Sequence, residues 1–176
     1  MARVATAAVL AAAALITCGS ATAAPDTRFD WPLRPRPVVG RPFDPPEQDW
    51  LPGHRGVDLA GAPGQSVYSA GPGIVVFAGS VGGKPVMAVL HEGGLRTTYE
   101  PVAGEVPVGR RVTRDTRIGE LAAGHAGCAA PACLHWGLRR ERTAHASREY
   151  LDPLGLLRRT PIRLKPLAPD QPSAAA

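Results

Sequence analysis

The sequence predicts an all-β fold, in which one small domain has an antiparallel β-sheet core. Glycine and proline, 20 and 19 of the 176 residues, show no regular period, so the chain has many turns and neither a helical bundle nor a coiled coil is expected. Short runs rich in β-branched, aliphatic and aromatic residues alternate with Gly-rich turns, which is the pattern of antiparallel strands. After the first two dozen residues, no window keeps an apolar helical period for three turns.

The predicted strands lie in the middle of the chain, separated by Gly-rich turns at 71–73, 82–84 and 92–94. They are Val67–Ala70, Ile74–Phe77, Val86–His91, Leu95–Tyr99 and Leu134–Leu138. The proline-rich residues 25–53 precede them and predict an extended segment packed against the sheet.

The first 23 residues have the layout of a secretory signal peptide. Arg3 precedes an apolar run at 4–16, and Ala21-Thr22-Ala23 forms an A-x-A cleavage site. The run is too short to span a membrane, and no later segment is long enough. An alternative is a lipoprotein box that ends at Cys18, which would anchor the protein to a membrane through a lipid. Either interpretation predicts export.

Charge and cysteine content narrow the function classes further. The net charge of +5 is spread along a chain with few aromatic residues, so nucleic-acid binding is not expected. In an exported chain, Cys128 and Cys133 are most simply a disulfide that fixes one loop. Two alternatives stay open for Cys133, a metal-bound thiolate and a free nucleophile.

His54 and Asp58 form an H-x-x-x-D motif that suits a zinc ion. On an extended strand their Cα atoms would be roughly 13 Å apart, so the backbone must bend for both to reach one metal. Gly53 and Gly56 permit such a bend, and Gly56 also leaves space between the ligands. By itself the motif is a weak signal, because a surface histidine and aspartate near a turn would give the same pattern.

Several ordered motifs resemble the lysostaphin/LytM-type zinc metallopeptidases, exported enzymes that cut peptide cross-links of bacterial peptidoglycan. The motifs are Trp31-Pro32, His54-Arg55-Gly56-Val57-Asp58-Leu59, Gly64-Gln65-Ser66-Val67, Gly71-Pro72-Gly73-Ile74-Val75, Thr98-Tyr99, Val108-Gly109, Ile118-Gly119 and Leu134-His135-Trp136. The resemblance extends over residues 31–157. It implies a β-sheet core with one zinc ion held by His54, Asp58 and His135.

Together, these patterns and the resemblance predict four parts of the chain. Residues 1–23 form the signal peptide, 24–30 a linker and 31–157 the peptidase-like core domain. Residues 158–176 are basic, then rich in proline and alanine, which predicts a disordered tail.

Two histidines of the family pattern are absent. Pro101 stands where the Y-x-H motif has its histidine, and Cys133 replaces the first histidine of H-x-H. The resemblance implies that these histidines act as acid–base groups, each of which typically contributes about 100- to 10,000-fold. Glu100 and His125 are weak candidates to replace them. A regular strand would turn Glu100 away from the face shared by Tyr99 and Pro101, which counts against it.

The sequence therefore predicts an exported protein directed at peptidoglycan, with weak or no peptidase activity, that acts in wall binding or in regulating wall remodelling. Its expected partner is peptidoglycan or a cell-wall protein. The alternative is an active zinc-dependent endopeptidase with a non-standard general base.

Overall fold

The structure, a computed structural model, describes residues 28–48, 50–125, 127–141 and 149–157. The predicted signal peptide with Cys18 and the predicted tail at 158–176 lie outside these residues. In the described part all regular structure is antiparallel strand and two short 3-10 turns, which confirms the predicted fold class. No helix in the described part of the chain is long and apolar enough to cross a membrane.

Eleven strands follow one another along the chain. They are β1 (Val39–Arg41), β2 (Gly56–Gly61), β3 (Ser66–Tyr68), β4 (Gly73–Val81), β5 (Lys84–Leu90), β6 (Leu95–Glu100), β7 (Val102–Gly104), β8 (Arg111–Val112), β9 (Arg117–Leu121), β10 (Ala132–Arg140) and β11 (Glu149–Leu151). The 3-10 turns are Glu92–Gly94 and Pro153–Leu157.

The strands form two sheets. The larger has eight strands in the order β1-β2-β10-β6-β5-β4-β8, with β11 also paired to β10, and the smaller has the order β3-β9-β7. The five predicted strand segments correspond to β3, β4, β5, β6 and β10. The remaining strands are short or rich in glycine and charged residues, so their apolar pattern is weak.

The core contains side chains from both sheets. From the larger sheet, Trp136 pairs with Val57 on one side and Tyr99 on the other, and all three are fully buried. From the smaller sheet, Val67 and Ile118 join the same cluster. Since side chains alternate along a strand, the neighbours of these residues point to the opposite face of the larger sheet.

That opposite face carries a row of ionisable side chains across three strands. His135 on β10 is paired directly with Asp58 on β2 and with Glu100 on β6. Residues directly opposite one another in a ladder lie on the same face, so the register alone brings the three together.

The proline-rich segment before β2 packs against the sheets, as predicted. Leu33 is fully buried and forms a bridge with Val67 in the smaller sheet, while β1 pairs with β2. The last residues of the predicted linker at 24–30 contact the domain: Phe29 packs edge-on against His91, and the Asp30 amide donates to the Ala70 carbonyl oxygen at 2.7 Å.

Candidate metal centre

The H-x-x-x-D motif bends where the sequence predicts it. His54 lies before β2, where its backbone amide and carbonyl both form hydrogen bonds with the backbone of Asp44. The chain then turns at Arg55, and the strand begins at Gly56. This bend brings the His54 Nε2 atom within 2.9 Å of the Asp58 carboxylate. A straight strand would keep the two side chains apart.

Three potential ligand atoms meet at this point. Asp58 Oδ1 lies 2.9 Å from His135 Nδ1, and His54 Nε2 lies 3.1 Å from the same His135 nitrogen. The Nδ1 of His54 is 2.6 Å from the Pro42 carbonyl oxygen and must donate its proton there. The Nε2 of a neutral His54 therefore presents a lone pair to the centre, as a metal ligand requires.

The geometry of the three atoms fits a zinc ion. Ligand atoms about 2.1 Å from a tetrahedral zinc are about 3.4 Å apart, and the three separations here are 2.9 to 3.1 Å. Lone pairs that face one another at these distances repel unless a proton or a cation lies between them. His54, Asp58 and His135, the three predicted ligands, are thus a possible metal-binding triad.

The electrostatics of the site keep the carboxylate charged. Burial raises the pKa of Asp58, but the hydrogen bond to His135 and the nearby His125 and His54 outweigh it and hold that pKa below its ordinary value. Asp58 is therefore an anion at neutral pH, which is the form that binds a cation.

Gly56 is required beside this triad. A Cβ atom at this position would lie 2.7 Å from Nε2 of His135 and 2.6 Å from the Trp136 carbonyl oxygen. The space predicted between the ligands is therefore occupied by the ring of His135 itself.

His125 also comes to the centre, although it lies 67 positions after Asp58 in the chain. Its Nε2 is 3.3 Å from Asp58 Oδ1, and its ring lies nearly parallel to that of His135 with 6.1 Å between centroids. The side chain of His125 is only 11% exposed. The structure thus places this weak candidate against the predicted metal ligands.

Glu100, the other weak candidate, lies on the same face of the larger sheet as His135. The buried Tyr99 lies on the other face. The strand argument against it therefore fails, because the face away from Tyr99 is the face of the metal centre. Its carboxylate accepts a hydrogen bond of 2.9 Å from Lys84.

The two replaced histidine positions carry no acid–base group. Cys133 forms a disulfide with Cys128, as predicted, and this removes both the thiolate-ligand and the free-nucleophile alternatives for it. Pro101 follows β6 and is buried.

A groove leads away from the metal centre along the same face of the larger sheet. Its volume is about 380 Å³, and it begins at His135 and Glu100. Arg96 and Arg139 line it with Tyr150, over which the Arg55 guanidinium lies at 5.6 Å. The sequence analysis missed these groove residues, since nothing in their spacing shows that β6, β10, β11 and the turn before β2 bring them together.

The comparisons with known proteins agree with the fold and the motifs. The sequence model of peptidase family M23 matches residues 52–150. Uncharacterized proteins of Mycobacterium tuberculosis (strain ATCC 25618 / H37Rv) and Mycobacterium bovis are each 57% identical over 165 residues. That match covers 91% of this chain and 66% of theirs, so the chain spans just under two thirds of the length of these relatives.

Solved structures share the fold at lower identity. Csd3 of Helicobacter pylori superposes with a TM-score of 0.59 and 23% identity, over 80% of this chain and 37% of that one. Lysostaphin from Staphylococcus simulans superposes with a TM-score of 0.55 and 24% identity, over 69% of this chain and 50% of that one. For a zinc-containing peptidase from Vibrio cholerae the TM-score is 0.52 and the identity 22%, over 65% of this chain and 37% of that one. With the family match over more than half of its length, the chain belongs to peptidase family M23.

Proposed function

We propose that this protein is an exported, zinc-binding M23 domain that binds peptidoglycan peptides and acts in wall binding or wall remodelling, with little or no peptide hydrolysis of its own. One observation carries the proposal: three side chains that could hold a metal ion lie together, while Pro101 and the disulfide-bonded Cys133 stand at the two acid–base positions. Retention of the ligands without these histidines favours binding over catalysis.

His54, Asp58 and His135 would hold the zinc ion. When bound, zinc supplies Lewis-acid chemistry, which orients and polarises a peptide carbonyl. The protein then positions the peptide, but neither replaced position can accept or return a proton. Loss of even one such group lowers turnover by about 100-fold or more.

The residues that line the groove favour one kind of ligand, a peptide with free carboxylate groups. Apolar side chains such as Val86 on β5 line it together with the guanidinium groups of Arg55, Arg96 and Arg139. Arg96 and Arg139 also pair with the carboxylate of Glu141, at 3.4 and 2.9 Å. Peptidoglycan stem peptides combine small apolar side chains with free carboxylates, which matches this lining.

Export is part of the proposal and rests on the sequence pattern of residues 1–23. A cleaved signal peptide would release the domain to the wall or beyond it. Lipidation of Cys18 would instead keep it at a membrane surface, and either location gives access to the wall.

A second function is favoured by the position of His125. An active endopeptidase would need a proton acceptor at the metal centre, and His125 at 3.3 Å from Asp58 is near enough to serve. Glu100, on the same face, is the other group available to such an enzyme.

The test is a combined binding and digestion assay on insoluble cross-linked peptidoglycan. Zinc-loaded protein is pelleted with the wall, and the supernatant is analysed for released peptides with and without a chelator. We expect retention on the pellet and peptide release at least about 100-fold below that of an active family enzyme. Chelator-sensitive release at a comparable rate would replace the proposal with the peptidase alternative.

Two variants make the binding result specific. Arg96→Ala removes a guanidinium from the groove, and Arg111→Ala removes an exposed one from β8, at the far edge of the sheet. We expect the first to weaken retention and the second to leave it unchanged. Equal loss in both would mean that retention reflects general charge attraction and would contradict binding in the groove.

A further inference from the structure

The groove carries an acidic group at the end near the metal centre and basic groups at the other end. Its floor is built from three cross-strand pairs of β6 and β10, which are Glu100 with His135, Thr98 with Gly137, and Arg96 with Arg139. All six residues line the groove. Because each residue of a strand adds about 3.3 Å, Glu100 and Arg96 lie roughly 13 Å apart along β6.

The guanidinium end keeps a net positive charge. Arg96 and Arg139 share the single carboxylate of Glu141. Two cations beside one anion leave positive charge over, and a guanidinium group has several N–H donors. This end of the groove can therefore accept a carboxylate of the ligand, as the proposed function requires.

Glu100 already binds an ammonium group at the other end. Lys84 Nζ, at the start of β5, donates to Glu100 Oε1 at 2.9 Å. A carboxylate can accept about four hydrogen bonds, and within the described part of the chain this is the one that the Glu100 side chain receives. The lysine side chain is 42% exposed, and such pairs are weak, so an ammonium group of a ligand can take its place.

Among the described residues that line the groove, Glu100 is the one acidic side chain. We propose that Glu100 determines specificity by binding an ammonium group of the peptide in place of Lys84, while the arginine pair binds a carboxylate. This inference rests on the proposed function and names its ligand more closely. The ligand is a peptide whose amino group and carboxylate are separated by about four extended residues. The amino group belongs to the side chain of a diamino acid or to the peptide's own N-terminus.

The experiment measures the affinity of three synthetic peptides for the protein by isothermal titration calorimetry. The parent peptide contains one lysine and has free ends, the second is acetylated on the lysine side chain, and the third is acetylated on its N-terminus. We expect one of the two acetylations to weaken binding by at least about fivefold, and the one that does so identifies the recognised amino group. Glu100→Gln should bind the parent peptide as weakly as the wild type binds that acetylated form.

Lys84→Met provides a readout in the opposite direction. Removal of the competing ammonium group should tighten binding of the parent peptide by up to about fivefold and leave the acetylated form unchanged. A purely structural role of Glu100, or a role as a proton acceptor, predicts no such gain. The matched control is Glu105→Gln, since Glu105 is an exposed glutamate that pairs with Arg117 in the smaller sheet. It should keep all three wild-type affinities.

Circular dichroism first establishes that each variant is folded. Equal affinity of the wild type for the three peptides would overturn the inference, as would an equal loss of the parent and both acetylated peptides in Glu100→Gln. Weaker binding of the parent peptide by Lys84→Met would also contradict it. These outcomes leave the proposed function standing as long as the protein is retained on peptidoglycan, whereas loss of that retention refutes the proposed function itself.

Discussion

Gly56→Ala tests whether the close approach of β2 to His135 is needed for metal binding. The added methyl group would lie 2.7 Å from His135 Nε2 and 2.6 Å from the Trp136 carbonyl oxygen. Non-bonded atoms favour separations of about 3.5 Å or more, so the imidazole has to move by roughly 0.8 Å. The carbonyl belongs to the β2–β10 ladder and cannot give way as easily.

A movement of this size exceeds what a metal site tolerates, since ligand distances must hold within about 0.2 Å. We therefore expect Gly56→Ala to weaken zinc binding by at least about tenfold and, through overpacking, to lower the free energy of unfolding by about 1–3 kcal/mol. Zinc affinity is measured by dye competition and stability by urea denaturation of the metal-free protein.

The matched control is Gly40→Ala on the neighbouring strand β1. A Cβ atom there would be 3.7 Å from the Asp58 carbonyl oxygen, an ordinary contact, so the same chemical change should leave zinc affinity unaltered. If folded Gly56→Ala binds zinc as tightly as the control, the contact between Gly56 and the His135 ring does not position the ligand, and the reasoning is wrong.

Three further predictions concern the loop and the core. Replacing Cys128 and Cys133 by serine should cost about 2 kcal/mol of stability from loop closure in urea denaturation; a stability equal to wild type would contradict that role of the disulfide. Burial lowers the pKa of His91. Below pH 6.5 the unfolded chain therefore binds more protons than the native one, and the free energy of unfolding should decrease as the pH is lowered. Urea denaturation between pH 7.5 and 5.5 should give a steeper fall in wild type than in His91→Gln, and equal slopes would refute this. Tyr99→Phe should cost about 1–3 kcal/mol in the same assay, because the buried Ala70 amide loses the hydroxyl oxygen that it donates to at 2.9 Å; a stability equal to wild type would refute that role.

The features that the sequence predicted well are those set by local chemistry. A glycine at position 56 and a histidine and an aspartate four residues apart require a bend, whatever the rest of the chain does. The pairing of Cys128 with Cys133 needs only two cysteines in a short loop. The all-β class follows from turn residues and short apolar runs, which are also local signals.

The features that the sequence did not reveal depend on register and on loop conformation. Alternation along β6 correctly separates Glu100 from Tyr99, but only the pairing of β6 with β10 shows which of the two faces holds the metal centre. The approach of His125 to Asp58 depends on a loop whose shape is set by a disulfide and by a hydrogen bond to Pro101. No periodic pattern encodes such a contact, so a single sequence cannot predict it.

The choice between a wall-binding domain and an active peptidase depends on His125 more than on Glu100. Lys84 holds Glu100 by an ion pair of 2.9 Å, but the lysine side chain is 42% exposed, and exposed pairs of this kind contribute about 0–1 kcal/mol. Such a contact does not keep a carboxylate from a substrate, so the ion pair does not distinguish the two functions. His125 does distinguish them, because its Nε2 lies 3.3 Å from Asp58 Oδ1 and an active enzyme would need a proton acceptor at that place. Chelator-sensitive peptide release that disappears in folded His125→Ala would therefore identify an active peptidase more directly than any loss of activity in a Glu100 variant.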